Sequence, residues 1–92
     1  MATGAPVPYR VAIAPAARKQ LAALPTDVQD QIRPEIVGLG ADPRPHRSQK
    51  LKGPSGEYRI RVGDYRVIYV IDDNNRLVGI TRVAHRRDAY RP

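Results

Sequence analysis

The sequence predicts an α+β domain: a small antiparallel-type β-sheet in the order β-α-α-β-β-β, with two N-terminal helices covering one face. Three observations predict it. Residues Tyr58 to Tyr69, YRIRVGDYRVIY, alternate apolar and charged positions on both sides of Gly63-Asp64, the period of half-buried strands joined by a tight turn. Residues 15–40 carry apolar positions at helical spacing instead, with Ala17, Leu21 and Leu24 followed by Val28, Ile32, Ile36 and Leu39. A last apolar run, Leu77 to His85, is set off by the turn-forming DDNN, Asp72 to Asn75.

Taken in order, residues 1–8 form a Pro/Gly/Ala leader expected to fray, and residues 9–92 form one domain. YRVAIA, Tyr9 to Ala14, reads as a first strand. Pro15 suits a first helical position, and the first helix should end near Leu24. TDVQ, Thr26 to Gln29, matches a capping box that opens a second helix ending near Gly40. Pro34 removes the bond to the Asp30 carbonyl and should kink or split that helix. ADPRPHRS, Ala41 to Ser48, is a proline-rich loop, and KLKG, Lys50 to Gly53, leads toward the hairpin.

A two-residue loop fixes the hairpin register, setting Val62 opposite Tyr65, Arg61 opposite Arg66, Ile60 opposite Val67 and Arg59 opposite Ile68. One face then carries Tyr58, Ile60, Val62, Tyr65, Val67, Tyr69 and Ile71, which is core. The other, left open by the helices, carries Arg59, Arg61 and Arg66 beside Ile68 and Val70. Like charges directly opposite across a ladder cost up to about 1 kcal/mol, so the arrangement opposes stability unless an anionic guest sits there. Arginines on an open sheet face are also commonly just solvated, and both readings stand at this level.

Composition narrows the function. A chain of 92 residues makes one small domain, which buries only about 60–65% of its unfolded surface. With no cysteine and two separated histidines, neither a disulfide framework nor a protein-built metal site is expected, and no cofactor motif is present. No signal peptide and no apolar run near the roughly 20 residues of a membrane span is evident, so a soluble, cytoplasmic protein is expected. Residues 1–43 hold four bases and four acids, whereas residues 44–92 hold twelve and five, so the whole net charge of +7 sits in the second half. Such a half-molecule suits phosphate or an acidic protein. Its end, VAHRRDAYRP, adds His85, Arg86, Arg87, Tyr90 and Arg91, either as a solvated tail or as a segment folded against the arginine face.

Three stretches together, KLKG, YRIRVGDYRVIYVI and VAHRRDAYR, preceded by a strand and a helical hairpin containing LAALP, resemble the RelE branch of the RelE/ParE superfamily of type II toxin-antitoxin toxins. The resemblance runs from about Tyr9 to Arg91. It implies the RelE/ParE-like microbial ribonuclease fold and a compact, metal-independent endoribonuclease that cuts messenger RNA in the ribosomal A site. It also implies a small cognate antitoxin that keeps the toxin inactive, with operator DNA contacted only through that complex and no membrane partner.

Carried over position by position, the resemblance places catalytic roles on Arg59, Arg61, Arg66, Arg86 and Tyr90, with His85 a further proton-transfer candidate. Lys50, Lys52, Arg82, Arg87 and Arg91 are expected to grip RNA or the ribosome. Guanidiniums bind phosphate through two parallel hydrogen bonds and stay charged, which suits stabilisation of a phosphorane. Family members often have lysines at positions 59 and 61, and lysine can pass a proton where arginine practically cannot. That leaves Tyr90 and His85 to move protons, unless Tyr90 packs the tail and His85 merely ends a strand; Glu57 is a base candidate or an ion-pair partner. The competing readings are a ParE-like poison of DNA gyrase without nuclease activity, a plain nucleic-acid-binding module, and a catalytically weakened RelE homologue.

Overall fold

The computed structural model describes residues 8–54 and 56–88. Its elements are β1 (Arg10–Ile13), α1 (Pro15–Ala22), α2 (Thr26–Ala41), β2 (Gln49–Lys50), β3 (Glu57–Val62), β4 (Tyr65–Asp72) and β5 (Leu77–His85). All five strands join one sheet in the order β1-β5-β4-β3-β2. The α+β architecture and the order of its main elements are those the sequence predicts. Two features go beyond it: KLKG begins within a two-residue edge strand, β2, and β1 pairs parallel to β5, so the sheet is mixed. The parallel pair is possible because the helices supply the long connection that parallel neighbours require.

The hairpin register is the one that loop length dictates, from Val62 opposite Tyr65 to Arg59 opposite Ile68. Gly63 has φ 58° while Asp64 does not enter the left-handed region, the pattern of a type II′ turn with glycine first. Ile60, Val67, Tyr69, Val78 and Ile80 are fully buried on one sheet face against Ala17, Leu21, Ile32, Ile36 and Leu39 of the helices.

The helix ends differ from expectation in physical detail. The capping box does not form: Pro25 is the N-cap of α2, Thr26 is its first helical residue, and no side chain caps it. Gln29 turns back instead, its Nε2 donating to the Leu24 carbonyl at 2.9 Å, which ties the two helices at their corner. Pro34 does not split α2, which is assigned as one helix from Thr26 to Ala41. Pro34 and Asp30 are both exposed, so solvent can serve the carbonyl that lost its partner. At the far end, the Gly40 carbonyl accepts from the Tyr9 N–H at 2.8 Å. A Cβ on Gly40 would lie 2.8 Å from the Tyr9 carbonyl oxygen, so only glycine permits this approach of helix to strand.

A polar clamp closes the sheet end farthest from the hairpin turn. Arg44, in the loop after α2, grips Asp73 with two hydrogen bonds, at 3.2 and 2.9 Å, and also donates to the Tyr58 hydroxyl at 3.2 Å. The Tyr9 hydroxyl donates to the same carboxylate at 2.5 Å, and the Tyr69 hydroxyl donates to the Pro43 carbonyl at 2.7 Å. The Arg44 guanidinium, and after it Tyr9, hold the Asp73 carboxyl down to about 2, below an ordinary carboxylate near 3.9. Because the folded carboxyl titrates below the unfolded one, its contribution to stability is full above about pH 4 and is lost as pH falls through 2. Asp73→Asn should therefore melt below the wild type at pH 7 and match it only below about pH 2. Melting curves that stay equally separated across that range would mean the clamp is not what titrates.

Candidate active site

The face of the sheet away from the helices carries two cross-strand rows. In the first, Gln49, Arg59, Ile68 and Arg82 lie opposite one another across β2, β3, β4 and β5. In the second, Arg61, Arg66 and Ala84 lie across β3, β4 and β5. Strict alternation along β5 from Val78 and Ile80 would have driven Arg82 into the core. A β-bulge prevents it: Ile80 pairs with Tyr69 but Arg82 pairs with the next residue back, Ile68, leaving Thr81 as the extra residue. Thr81 Oγ1 donates to the Ile68 carbonyl at 3.2 Å, and Gln20 Oε1 of α1 accepts from the Val83 N–H at 2.8 Å. Val83 thereby returns to the core, and Arg82 joins the arginines.

This face is not the solvated surface that alternation alone suggests. Arg59 and Arg66 are each only 7% exposed, whereas Arg61, directly opposite Arg66, is exposed. Burying a guanidinium is costly unless its donors are engaged. For Arg59 one partner is Gln49, whose Oε1 accepts from Nη2. Gln49 is a site residue that sequence reasoning missed, because a two-residue strand leaves no periodic signal.

The C-terminal turn is built onto the same end of the sheet. The Arg86 N–H donates to the Asp64 carbonyl at 2.7 Å, carrying the chain past β5 beside the hairpin turn. Arg82 Nη2 donates to the Asp88 carbonyl at 2.8 Å, and the Asp88 N–H bonds back to the His85 carbonyl at 2.8 Å. At least one donor of Arg82, expected to grip RNA, thus holds the chain segment that carries Arg86. Arg86 and Arg87 are exposed.

Among the described residues, His85 and Lys50 are not brought to this face. His85 pairs with Tyr65, on the helix side of the sheet, and its ring meets the Tyr65 ring edge-on at 5.3 Å. The alternation Val83, Ala84, His85 carried that information. Lys50 lies opposite Tyr58, also on the helix side, and Lys52 is exposed in the following loop. Glu57 pairs with Val70 and, two residues along β3 from Arg59, shares the arginine face. Tyr90 and Arg91 lie outside the described residues.

The family model for the ParE toxin of type II toxin-antitoxin systems matches residues 11–90, from the first strand through the C-terminal motif. The chain belongs to the RelE/ParE family of toxins. It is 37% identical over 86 residues to a protein named Toxin RelE from Mycobacterium tuberculosis, covering 91% of this chain and 88% of that one. Among solved structures it is similar to the toxin-antitoxin complex RelBE2 of the same organism, with a TM-score of 0.77, 33% identity and coverage of 87% and 100%. An archaeal RelE-RelB complex from Pyrococcus horikoshii OT3 matches equally well, with a TM-score of 0.77, 31% identity and coverage of 88% and 98%. The two helices and five-stranded mixed sheet are thus those of RelE toxin structures.

Proposed function

We propose that this toxin is a ribosome-dependent messenger RNA endoribonuclease that arrests translation. The observation that carries the reading is the pair of arginine rows on the helix-free face, two of whose guanidiniums are buried and so already desolvated. In the reaction, a ribose 2′-oxygen loses its proton and attacks the adjacent phosphorus. The bond to the 5′-oxygen breaks, and that oxygen takes up a proton, leaving a cyclic 2′,3′-phosphate and a 5′-hydroxyl. Negative charge builds on the phosphorane oxygens, where Arg59, Arg61 and Arg66 supply fixed positive donors without rearrangement at the moment of reaction. Arg86, held beside the hairpin turn, adds a fourth. No metal is needed for this chemistry.

Guanidiniums stay protonated near neutrality and cannot serve as bases, so the proton transfers fall to other groups. Tyr90 takes that role in this reading, whereas the position of His85 against Tyr65 speaks against a direct part. Lys52, Arg87 and Arg91 contribute phosphate contacts around the site. A small acidic antitoxin would neutralise the basic face, and the similar solved structures are themselves toxin-antitoxin complexes. Acting on the ribosome places the protein in the cytoplasm.

The match to the ParE family model supports a second reading, a poison of DNA gyrase without nuclease activity. One experiment separates the two. Purified protein is incubated with a defined messenger, with and without translating ribosomes, and cleavage is mapped by primer extension beside a gyrase DNA-cleavage assay. Cuts that require ribosomes are the expected result. Intact messenger with trapped gyrase-DNA breaks would replace this reading with the second.

A further inference from the structure

We propose that Gln49 is a positioning residue for the phosphate-binding arginines: its side-chain amide fixes the Arg59 guanidinium in the plane that receives the RNA backbone. The proposal rests on the nuclease reading for its purpose, but the contact is defined by this chain alone. Gln49 lies opposite Arg59 in the β2/β3 register, and its Oε1 accepts from Arg59 Nη2. Gln49 is itself exposed while Arg59 is buried, so the amide stands at the solvent edge of a largely covered guanidinium.

The chemistry of the acceptor matters. A carboxylate at this position would also orient the guanidinium, but it would cancel the charge that a phosphate is drawn to. A neutral amide restrains one Nη group without adding a negative charge of its own. The fork of a guanidinium stabilises a phosphorane best when its plane is already set, since ordering a free side chain as the charge develops adds to the barrier.

β2 is built to deliver this one contact. It has two residues; Lys50 faces the other way, opposite Tyr58, leaving Gln49 as the one residue it presents to the arginine rows. Its exit is held by the Leu51 N–H bonded to the Glu57 carbonyl at 2.8 Å. Its entry is held by the clamp on the preceding loop, where Tyr69 binds the Pro43 carbonyl and Arg44 binds Asp73. The clamp and the arginine rows lie on different parts of the sheet, and residues 42–48 join them through Gln49.

The test combines nitrogen-15 spectra of the arginine side chains with cleavage kinetics on ribosome-messenger complexes. In the wild type the Arg59 Nη groups, assigned by their loss in Arg59→Lys, should show hindered rotation, and in Gln49→Ala they should average. Gln49→Ala should lower kcat by about tenfold to a hundredfold with KM changed by less than roughly threefold. Gln49→Glu should keep the hindered rotation but raise KM, because it neutralises the charge. Rotation unchanged in Gln49→Ala, or wild-type kcat in that variant, overturns the proposal. A wild type that cuts no messenger while its Arg59 rotation still depends on Gln49 would overturn the nuclease reading and leave the positioning contact standing.

Discussion

Replacing Arg66 with alanine is expected to slow ribosome-dependent cleavage by at least about a hundredfold and to abolish growth arrest, while shifting the melting temperature by no more than a few degrees. Arg66 sits at the middle of its row, between Arg61 on β3 and Ala84 on β5, and is almost fully covered. A pre-desolvated cation is worth most where new negative charge develops, because water does not compete for it. The stability effects oppose each other. Truncation loses the packing and contacts of the arginine side chain but relieves the repulsion with Arg61, which is worth about 1 kcal/mol or less. Arg66→Lys separates charge from geometry: it keeps the charge, loses the two-pronged donor, and should recover only a small part of the rate. Rates would be measured by primer extension and the fold by thermal melting. A folded Arg66→Ala protein that cuts at the wild-type rate would remove the central arginine from the chemistry. Cleavage restored fully by lysine would mean that only net charge matters.

Much of this site was legible in the sequence because one local rule governed it. A two-residue loop fixes hairpin register, and register fixes which side chains share a face, so Arg59, Arg61 and Arg66 could be grouped without a structure. Leu77–His85 has the predicted bounds for a similar reason, being set off by turn chemistry: Asp72 accepts from the Asn75 backbone N–H at 3.1 Å and from its side chain at 2.8 Å. What sequence did not yield was non-local. Nothing in YRVAIA names β5 as its parallel partner, and nothing in QK announces an edge strand. Burial of Arg59 and Arg66 was equally hidden, since alternation tells which face a residue takes but not what covers it. The bulge at Thr81 was half visible. Val78, Ile80 and Val83 are core residues spaced by two and then three, and that break in period is the trace of the extra residue.

An alanine scan along β3 should give two phenotypes that alternate residue by residue. Ile60 is fully buried against the helices, and Ile60→Ala should cost about 2–5 kcal/mol, a large share of the roughly 5–15 kcal/mol that holds a small domain together. Its toxicity would fall because less protein is folded, and the rate per folded molecule would change little. Its neighbours Arg59 and Arg61 point to the other face, so their alanine variants should remain folded and lose cleavage. Arg61→Ala should even gain a few tenths of a kcal/mol, because it removes a like charge set directly across from Arg66. Urea midpoints paired with cleavage rates normalised to folded protein would resolve the two effects. An Ile60→Ala protein that is stable but inactive would place the chemistry on the helix side of the sheet. Loss of folding in Arg61→Ala would mean that the arginine face holds the domain together, so that its repulsion is offset within the protein rather than by the phosphate it is proposed to bind.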